Sequence, residues 1–111
     1  MILPSKIKFG DQSLKEEFIR LESGRGEDRR LLIYLKQALK NIEEDAYCGI
    51  LIPKRLIPQS YIKKFRIDNL RKYNLPKGWR LLYSVEKEEI TIIALILEWM
   101  DHKDYERRFN Y

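Results

Sequence analysis

The fold of this chain is decided by two neighbouring segments, Trp79-Arg-Leu-Leu-Tyr-Ser-Val85 and Ile90-Thr-Ile-Ile-Ala-Leu-Ile-Leu-Glu-Trp99. In the first, Trp79, Leu81, Tyr83 and Val85 alternate with Arg80, Leu82 and Ser84, which is the period of a β-strand. In the second, seven of the eight residues from Ile90 to Leu97 are apolar, which favours a strand buried on both faces. The charged connection Glu86–Glu89 has hairpin length. The two segments therefore predict the centre of a small sheet.

The length and composition predict a single soluble domain over residues 1–111 with a modest core. No segment approaches the roughly 20 apolar residues of a membrane helix, and no signal-peptide h-region follows Met1. The single cysteine, Cys48, excludes an internal disulfide, and one histidine beside it argues against a structural zinc site. These features predict a cytoplasmic protein without a metal or another cofactor.

The basic residues are concentrated in the middle of the chain. The formal net charge is +5, and from Lys54 to Arg80 nine Lys and Arg residues stand against one acidic residue, Asp68. A basic block in an otherwise slightly acidic chain is typical of a protein that binds a polyanion. Nucleic acid is the favoured interpretation, although a solvated surface or an acidic protein partner would produce the same pattern.

The first half of the chain predicts a strand and two helices. Ser5–Phe9 alternates polar and apolar residues, and Ser13-Leu-Lys-Glu16 is a capping-box signature that begins a helix. A second helix is predicted from about Glu27 to Asp45, because its apolar residues recur with helical spacing. That stripe consists of Leu31, Leu35, Ala38, Leu39 and Ile42. The two helices form an α-hairpin whose apolar stripes need a sheet to cover.

The segment between this hairpin and the central strands is harder to interpret. Pro53 and Pro58 exclude a continuous helix or a central strand there, and residues 59–64 fit either a helical turn or the approach to a strand. Phe65–Leu70 alternates and is the predicted second strand. Residues 71–78 are then a polar loop that leads into the central hairpin.

A short C-terminal helix is predicted after Trp99, because Tyr105 and Phe109 are four residues apart and Asp101 can cap it. The element order is therefore β-α-α-β-β-β with a short final helix. We expect an α+β domain: a small antiparallel sheet of about four strands, with the helices gathered on one side.

Several enzyme classes lack their sequence signatures here. The chain has no Gly-rich phosphate loop, no Gly-x-Ser-x-Gly elbow and no His-x-x-x-His pair. Cys48 lies far in sequence from His102, and a lone cysteine is usually a small buried hydrophobe. A thiol–imidazole site is therefore not favoured, and Trp79 and Tyr83 are interpreted as core or rim residues.

What remains is a set of cations. If the last three strands form a meander, Arg66, Arg80 and His102 converge at one end or face of the sheet. Such a set suits cleavage of RNA without a metal, because the 2′-hydroxyl supplies the nucleophile. A guanidinium can bind two phosphoryl oxygens at once, and His102 can exchange protons near neutral pH. Further basic residues nearby in sequence are Lys54, Arg55, Lys63, Lys64 and Arg71.

The element order and two motifs together resemble the RelE/ParE superfamily of toxins from type II toxin–antitoxin systems. Gly78-Trp-Arg-Leu-Leu-Tyr-Ser-Val85 is similar to that family's strand of Gly, an aromatic residue, Arg, Leu, an aliphatic residue, Tyr, any residue and Val. Asp101-His-Lys-Asp-Tyr105 is similar to the His-Lys/Arg…Tyr ending of many members. The resemblance implies the RelE-like fold and an endoribonuclease that cuts messenger RNA in the ribosomal decoding site.

The resemblance also implies roles for single residues. Arg80 matches the strand arginine that contacts the scissile phosphate. His102 or Lys103 stands for the basic residue after the final strand, and Tyr105 for the C-terminal tyrosine. Arg66 is similar to the first basic residue of the family's Lys-x-Lys strand.

One position departs from the family pattern. The second basic residue of the Lys-x-Lys strand falls on Asp68, and Arg71 or the pair Lys63 and Lys64 would have to compensate. The catalytic candidates are thus Arg80, His102, Tyr105 and Arg66, and the candidate RNA- or phosphate-binding residues are Lys54, Arg55, Lys63, Lys64, Arg71 and Lys103.

The expected partners are messenger RNA, the ribosome and a cognate antitoxin whose acidic, partly disordered segment would meet the basic block in a hetero-oligomer. Two alternatives stay open at this point. One is a binding protein of the same fold, either a ParE-like gyrase inhibitor or a degenerate member that only pairs with an antitoxin. The other is a general RNA-binding module.

Overall fold

In the computed structural model, which describes residues 1–109, a long antiparallel hairpin occupies the centre of the sheet. Its strands are β4 (Arg80–Glu88) and β5 (Thr91–Met100). The central hairpin is confirmed, but its turn is shorter than expected: Glu88 pairs with Thr91, which leaves Glu89 and the exposed Ile90 as the connection. A register shift after Leu82 lets the strands twist without losing their pairing.

The sheet has five strands, in the order β1-β5-β4-β3-β2. The other three strands are β1 (Lys6–Phe9), β2 (Ile50–Leu51) and β3 (Arg71–Asn74). The prediction of about four antiparallel strands is wrong in two respects, since β2 adds a short edge strand and β1 runs parallel to β5. A parallel neighbour needs a crossover, and here the long connection after β1 begins with the two N-terminal helices.

One face of the sheet, the first face, is covered by α1 (Gln12–Leu21) and α2 (Glu27–Glu44). The predicted α-hairpin is confirmed. Its buried residues pack against alternate residues of the central strands. The core of the first face consists of Leu14, Leu31, Leu35, Ala38, Ile42, Leu75, Leu81, Tyr83, Ala94 and Ile96. The expected capping box is wrong: Asp11 is the N-cap of α1, and the Ser13 hydroxyl donates to it.

The opposite face, the second face, is covered by α3 (Gln59–Phe65) and α4 (His102–Phe109). The C-terminal helix is confirmed, and the Asp101 carboxylate accepts from the Asp104 N–H at 2.9 Å. The expectation that all helices lie on one side is wrong. Because β5 is apolar at eight of its ten positions and the consecutive residues Leu81 and Leu82 of β4 are both buried, both faces of the hairpin need a cover. The core of the second face consists of Ile52, Ile57, Tyr61, Ile67, Leu70, Leu82, Leu97, Met100, Tyr105 and Phe109.

The predicted strand Phe65–Leu70 is wrong. Phe65 ends α3, and Arg66 caps it in the left-handed conformation, with φ 54°. Ile67 and Leu70 are buried, yet the segment between them has no strand pairing. Instead the Asn69 side chain forms the two hydrogen bonds to Val85 of β4 that a paired strand would form with its backbone. Its amide donates to the Val85 carbonyl, and its oxygen accepts from the Val85 N–H. The alternation of apolar and polar residues in Phe65–Leu70 therefore reflects the burial of Ile67 and Leu70 and not a β-strand.

The predicted polar loop over residues 71–78 is wrong in its first half, because residues 71–74 form β3. This strand carries few apolar side chains, so the hydrophobic pattern of the sequence does not predict it. Pro76–Gly78 forms the 3₁₀ turn that reverses the chain into β4, with Lys77 at φ 65° and Gly78 at φ 82°. Asn110 and Tyr111, the last residues of the predicted domain, lie outside the described residues.

Among the helices of residues 1–109, none combines the length and apolarity that crossing a bilayer requires.

Candidate functional site

Arg80 lies at the first position of β4 and points onto the second face, where it is half-buried. Its Nη1 atom donates to the carbonyl oxygens of Gly78 and Trp79, at 2.8 and 3.2 Å. Its Nε atom is buried and has no hydrogen-bond partner within residues 1–109. The preceding turn thus fixes the orientation of the guanidinium.

The ring of Tyr105 joins Arg80 to a second cation. The Arg80 guanidinium carbon lies 5.3 Å from the centroid of this ring, and the Lys72 ammonium also lies 5.3 Å from it. Both distances are within the range of a cation–π contact. Tyr105 is 3% exposed, so the ring is a fixed platform for the two charges. Its hydroxyl oxygen is buried, which makes Tyr105 a positioning residue for the cations.

The pairing of the strands explains why Lys72 and Arg80 share this ring. Arg80 pairs with Asn74 of β3, and Lys72 pairs with Leu82, two residues along β4. Side chains two residues apart on a strand point to the same face. Arg80 also pairs with Met100 at the end of β5, directly before α4. The start of β4 therefore meets the start of α4.

His102 begins α4 at the same end of the sheet. A Cβ atom on Gly78 would lie 3.2 Å from the Cβ atom of His102, so the turn before β4 contacts this residue. The imidazole is exposed and its Nε2 atom pairs with the Glu106 carboxylate one turn along the helix. His102 and Tyr105 are three residues apart and lie one helical turn from each other. We call Lys72, Arg80, His102 and Tyr105 the Arg80 cluster.

Two cations of the Arg80 cluster, Arg80 and Lys72, have no carboxylate partner among residues 1–109. By contrast, such partners are present for Lys8, Lys64, Arg107 and Arg108. Two cations that share a low-polarity platform repel each other and favour an anion between them. Chemically, the cluster can bind the non-bridging oxygens of a phosphate and place an imidazole beside it.

Three of the four catalytic candidates, Arg80, His102 and Tyr105, are therefore brought together. Arg66 is not on the strand beside Arg80, which is a correction to the sequence interpretation. It lies exposed at the end of α3, outside the sheet, because the chain reverses there in a left-handed cap. Asp68 lies in the irregular segment after it and is also absent from the neighbouring strand. The Asp68 departure thus does not put an acid into the cluster.

The predicted phosphate-binding residues are distributed over several places. Lys54 and Arg55 lie exposed in a 3₁₀ turn, and Lys63 is exposed on α3. Lys64 pairs with Asp11 at 2.8 Å. Lys103 is exposed on the first turn of α4, beside His102 in sequence.

Arg71 points to the opposite face from the Arg80 cluster, because it pairs with Tyr83 of the first face. Its guanidinium donates to the Gly49 carbonyl at 2.7 Å and to the Tyr47 carbonyl at 3.2 Å. These bonds give Arg71 a structural role.

Lys72 is the residue that sequence reasoning missed. The hydrophobic pattern predicts a loop at this position, and only the pairing of β3 with β4 places Lys72 beside Arg80. A usable signal exists in the sequence: Pro76-Lys-Gly78 has the composition of a tight turn. Read as a hairpin turn, it makes residues 71–74 a strand and puts Lys72 on the face of Arg80.

Two other groups of polar residues have structural explanations. Cys48 is exposed, so the expectation of a buried cysteine is wrong. Partial desolvation still raises the pKa of its thiol, which disfavours the nucleophilic thiolate. On the second face, the Glu98 carboxylate accepts from the Tyr61 hydroxyl at 2.5 Å and from Arg108 at 2.7 Å. This network ties α3 and α4 to β5. Within residues 1–109, no group of three or more His, Cys, Asp and Glu side chains is arranged to hold a metal ion.

Comparison of the chain with protein-family models, curated proteins and solved structures finds no significant match in any of the three.

Proposed function

We propose that the protein is a metal-independent endoribonuclease that cleaves messenger RNA at the ribosome, and that it is the cytoplasmic toxin of a type II toxin–antitoxin system. The observation that supports this proposal best is the Arg80 cluster. Two cations without a carboxylate partner flank one buried ring, and an imidazole lies one helical turn away. The RelE/ParE-like motifs around Arg80 and His102 supply the substrate class.

In the proposed reaction, the 2′-hydroxyl oxygen attacks the adjacent phosphorus and the 5′-oxygen of the next nucleotide leaves. The products are a 2′,3′-cyclic phosphate and a 5′-hydroxyl end. Negative charge increases on the non-bridging oxygens, where Arg80 and Lys72 stabilise it. His102 exchanges the proton of the attacking or leaving oxygen. Tyr105 positions both cations, and Lys103 contacts the backbone of the flanking RNA.

The same charges define the proposed regulation. An acidic, partly disordered antitoxin segment would place carboxylates where the phosphate binds, and it would gain charge-assisted hydrogen bonds to Arg80 and Lys72. Binding of the antitoxin and of RNA would then exclude each other.

The test is induced expression of the wild type beside Arg80→Ala and Lys72→Ala, with primer extension on messenger RNA from the same cultures. Growth arrest with codon-phased breaks is expected in the wild type. Purified Arg80→Ala should cleave programmed ribosomes about 10²–10³-fold more slowly, by analogy with the loss of one oxyanion donor. Lys87→Ala is the matched control, because Lys87 lies exposed on the same strand at its far end.

A second measurement isolates the nucleophile. A single 2′-deoxy nucleotide placed at the mapped break should abolish cleavage there and leave neighbouring breaks intact. Cleavage of the deoxy site at the ribose rate, or an Arg80→Ala variant as active as the wild type, would refute the mechanism.

A second candidate function is a binding protein of the same fold, either a ParE-like gyrase inhibitor or an inert antitoxin-binding member. The contact of His102 Nε2 with the Glu106 carboxylate favours it, because an imidazole nitrogen already engaged by a carboxylate is less available for proton transfer to RNA. Growth arrest without breaks in messenger RNA, together with inhibition of purified gyrase, would support the inhibitor. Antitoxin binding without arrest or RNA cleavage would support the inert member.

A further inference from the structure

A cleft of about 560 Å³ opens beside the turn that precedes β4. It lies between the first turns of α2 and the Pro76–Gly78 turn, at the same end of the sheet as the Arg80 cluster. Its lining consists of Glu27, Asp28, Arg30, Leu31, Tyr34, Lys77 and Trp79. We call it the Trp79 cleft. The Arg80 cluster lies on the second face, whereas Trp79 packs at the rim of the first-face core.

The Trp79 cleft combines aromatic surface with charges that have no partners. Trp79 and Tyr34 are each half-buried, so part of each ring is packed and part faces the cleft. Of the four charged residues in the lining, none forms an ion pair within residues 1–109, although two acids and two bases share the space. The interior therefore offers stacking surface, donors and acceptors together.

This combination matches the chemistry of an unpaired nucleobase. Single-stranded RNA is recognised by stacking its bases on aromatic rings and by hydrogen bonds to their edges. Carboxylates such as Glu27 and Asp28 accept from the exocyclic amino groups of bases. Lys77 and Arg30 can contact the phosphates that flank the base.

The turn that borders the cleft also holds the guanidinium of Arg80. The Arg80 Nη1 atom donates to the carbonyls of Gly78 and Trp79. Lys77, which is not glycine, takes a left-handed conformation at φ 65°, which L-residues other than glycine rarely adopt. Trp79 and Arg80 are neighbours, with Cα atoms about 3.8 Å apart, and their side chains point to opposite faces of the sheet. An RNA strand that crosses this end of the sheet therefore meets both sites.

The geometry points to the Trp79 cleft as a subsite for one unstacked base of single-stranded RNA, next to the phosphate held at the Arg80 cluster. The base stacks on Trp79 and Tyr34, and its edge meets Glu27 or Asp28. This inference rests on the proposed function insofar as it takes RNA as the ligand. It adds a base-binding site that the phosphate chemistry alone does not require.

The two tryptophans of the chain allow a direct test. Trp99 packs against Phe18 of α1, with ring centroids 6.3 Å apart, and does not line the cleft. In a Trp99→Phe variant, Trp79 is the sole fluorescent tryptophan. Titration with a short single-stranded RNA carrying 2′-O-methyl sugars, which cannot be cleaved, should quench its emission in a saturable way. The Trp79→Phe variant, with Trp99 as the reporter, should show no such quenching.

Substitutions in the Trp99→Phe background identify the contact. Tyr34→Ala should raise the Kd for RNA, obtained from the quenching titration, about tenfold. Tyr34→Phe keeps the ring and should bind RNA with the wild-type Kd. Ile33→Ala is the matched control, because Ile33 is exposed on the same helix at 60% and does not line the cleft. A thermal unfolding curve for each variant shows that the loss is not one of folding.

The outcomes separate this inference from the proposed function. The base subsite is supported if RNA still quenches Trp79 in the Arg80→Ala variant and if an RNA with abasic residues does not quench it. This result would stand even if no cleavage is ever found. The subsite is overturned if RNA does not quench Trp79 in the Trp99→Phe protein and if the Tyr34→Ala variant cleaves messenger RNA at the wild-type rate. The ribonuclease proposal would then still stand.

Discussion

The two faces of the sheet are closed in different ways. The first face is covered by α1 and α2, and the guanidinium of Arg71 on this side is bound to the carbonyls of Tyr47 and Gly49. The second face is covered by the shorter helices α3 and α4, and charged groups lie among its core residues. There Arg80 and Lys72 flank Tyr105, and Glu98 holds Tyr61 and Arg108. The second face therefore combines a buried apolar core with fixed charges that have no carboxylate partner at Arg80 and Lys72.

This difference suggests a division of labour between the faces. A long amphipathic helix buries apolar surface without interruption, which stabilises the fold. The second face can then hold unpaired cations whose desolvation lowers the free energy of unfolding. Substitutions of the buried residues of the first-face core should change stability and leave the chemistry intact, and substitutions of the cations Arg80 and Lys72 should do the reverse.

The largest effect is expected from Leu35→Ala on the first face. Leu35 is 1% exposed, and truncation should lower the free energy of unfolding by about 3 kcal/mol through lost transfer energy and a cavity. Ile33→Ala on the same helix should change it by less than about 0.5 kcal/mol, because Ile33 is exposed. Urea unfolding monitored by circular dichroism measures both. A loss below about 1 kcal/mol for Leu35→Ala would contradict the view of this face as the main source of stability.

The next effect concerns the hydroxyl group of Tyr83, which donates to the Ala46 carbonyl at 2.7 Å and accepts from the Gly49 N–H at 2.9 Å. Burial raises the pKa of this hydroxyl, so it remains protonated. Tyr83→Phe leaves two buried backbone groups unpaired and should cost about 2 kcal/mol.

The control for that substitution is Tyr73→Phe. The Tyr73 hydroxyl accepts from Asn41 at 2.6 Å in a half-buried place where water can substitute, so the cost should be about 0.5–1 kcal/mol. Urea unfolding measures the free energy of unfolding of both variants. An equal decrease in the two would show that the buried hydrogen bonds of Tyr83 stabilise the protein no more than the half-buried one of Tyr73.

Sequence reasoning predicted the first face better than the second. The α-hairpin and the central strands follow from strong periodicities, which their burial then confirms. Residues 65–74 were misassigned because backbone pairing and hydrophobic pattern disagree there. The side chain of Asn69, and not its backbone, forms the hydrogen bonds to Val85 of β4. In addition, β3 is a strand with few apolar residues. The parallel placement of β1 depends on tertiary packing, which no local pattern encodes.

The same limit applies to the Arg80 cluster. Arg80, His102 and Tyr105 were found because each lies at the start or end of a strongly patterned element. Lys72 was missed and Arg66 was wrongly included, because the identity of the strand beside β4 is a long-range property. The Trp79 cleft could not be predicted either, since it forms between a helix and a turn about 45 residues apart in sequence.

A smaller effect is expected at Asp11, which connects the two faces. Its carboxylate caps α1 by accepting from the Leu14 N–H at 2.8 Å, and it pairs with Lys64 of α3. Asp11→Ala should cost about 1 kcal/mol through the lost cap. Asp11→Asn keeps a capping oxygen and loses only the exposed ion pair, so it should cost a few tenths of a kcal/mol, about the value of a surface salt bridge.

The pH dependence gives Asp11 a second test. The hydrogen bond from Lys64, and after it that from the Leu14 backbone, lowers the pKa of this carboxyl from 3.8 to about 2. The folded state therefore binds the proton less readily than the unfolded state, and the stabilisation is complete above pH 3.8 and disappears as the pH falls through 2. The difference in stability between wild type and Asp11→Ala should shrink over that window. A constant difference would show that the carboxylate charge makes no contribution.

The smallest effect, and the sharpest test of the division between the faces, is expected from Arg80→Met. Arg80 holds a buried Nε atom without a partner among residues 1–109, and a buried unsatisfied donor costs about 1–3 kcal/mol. A methionine of similar length removes that cost and fills the same space beside Tyr105. It loses a cation–π contact of about 0.5–2 kcal/mol. It also loses the two Nη1 hydrogen bonds to the Gly78 and Trp79 carbonyls, each of about 0.5–1.5 kcal/mol. The free energy of unfolding should therefore stay the same or fall by no more than about 1 kcal/mol, while ribosome-dependent cleavage is lost. A loss of stability above about 1 kcal/mol would mean that Arg80 holds the second face together. The charge at the start of β4 would then need no functional explanation.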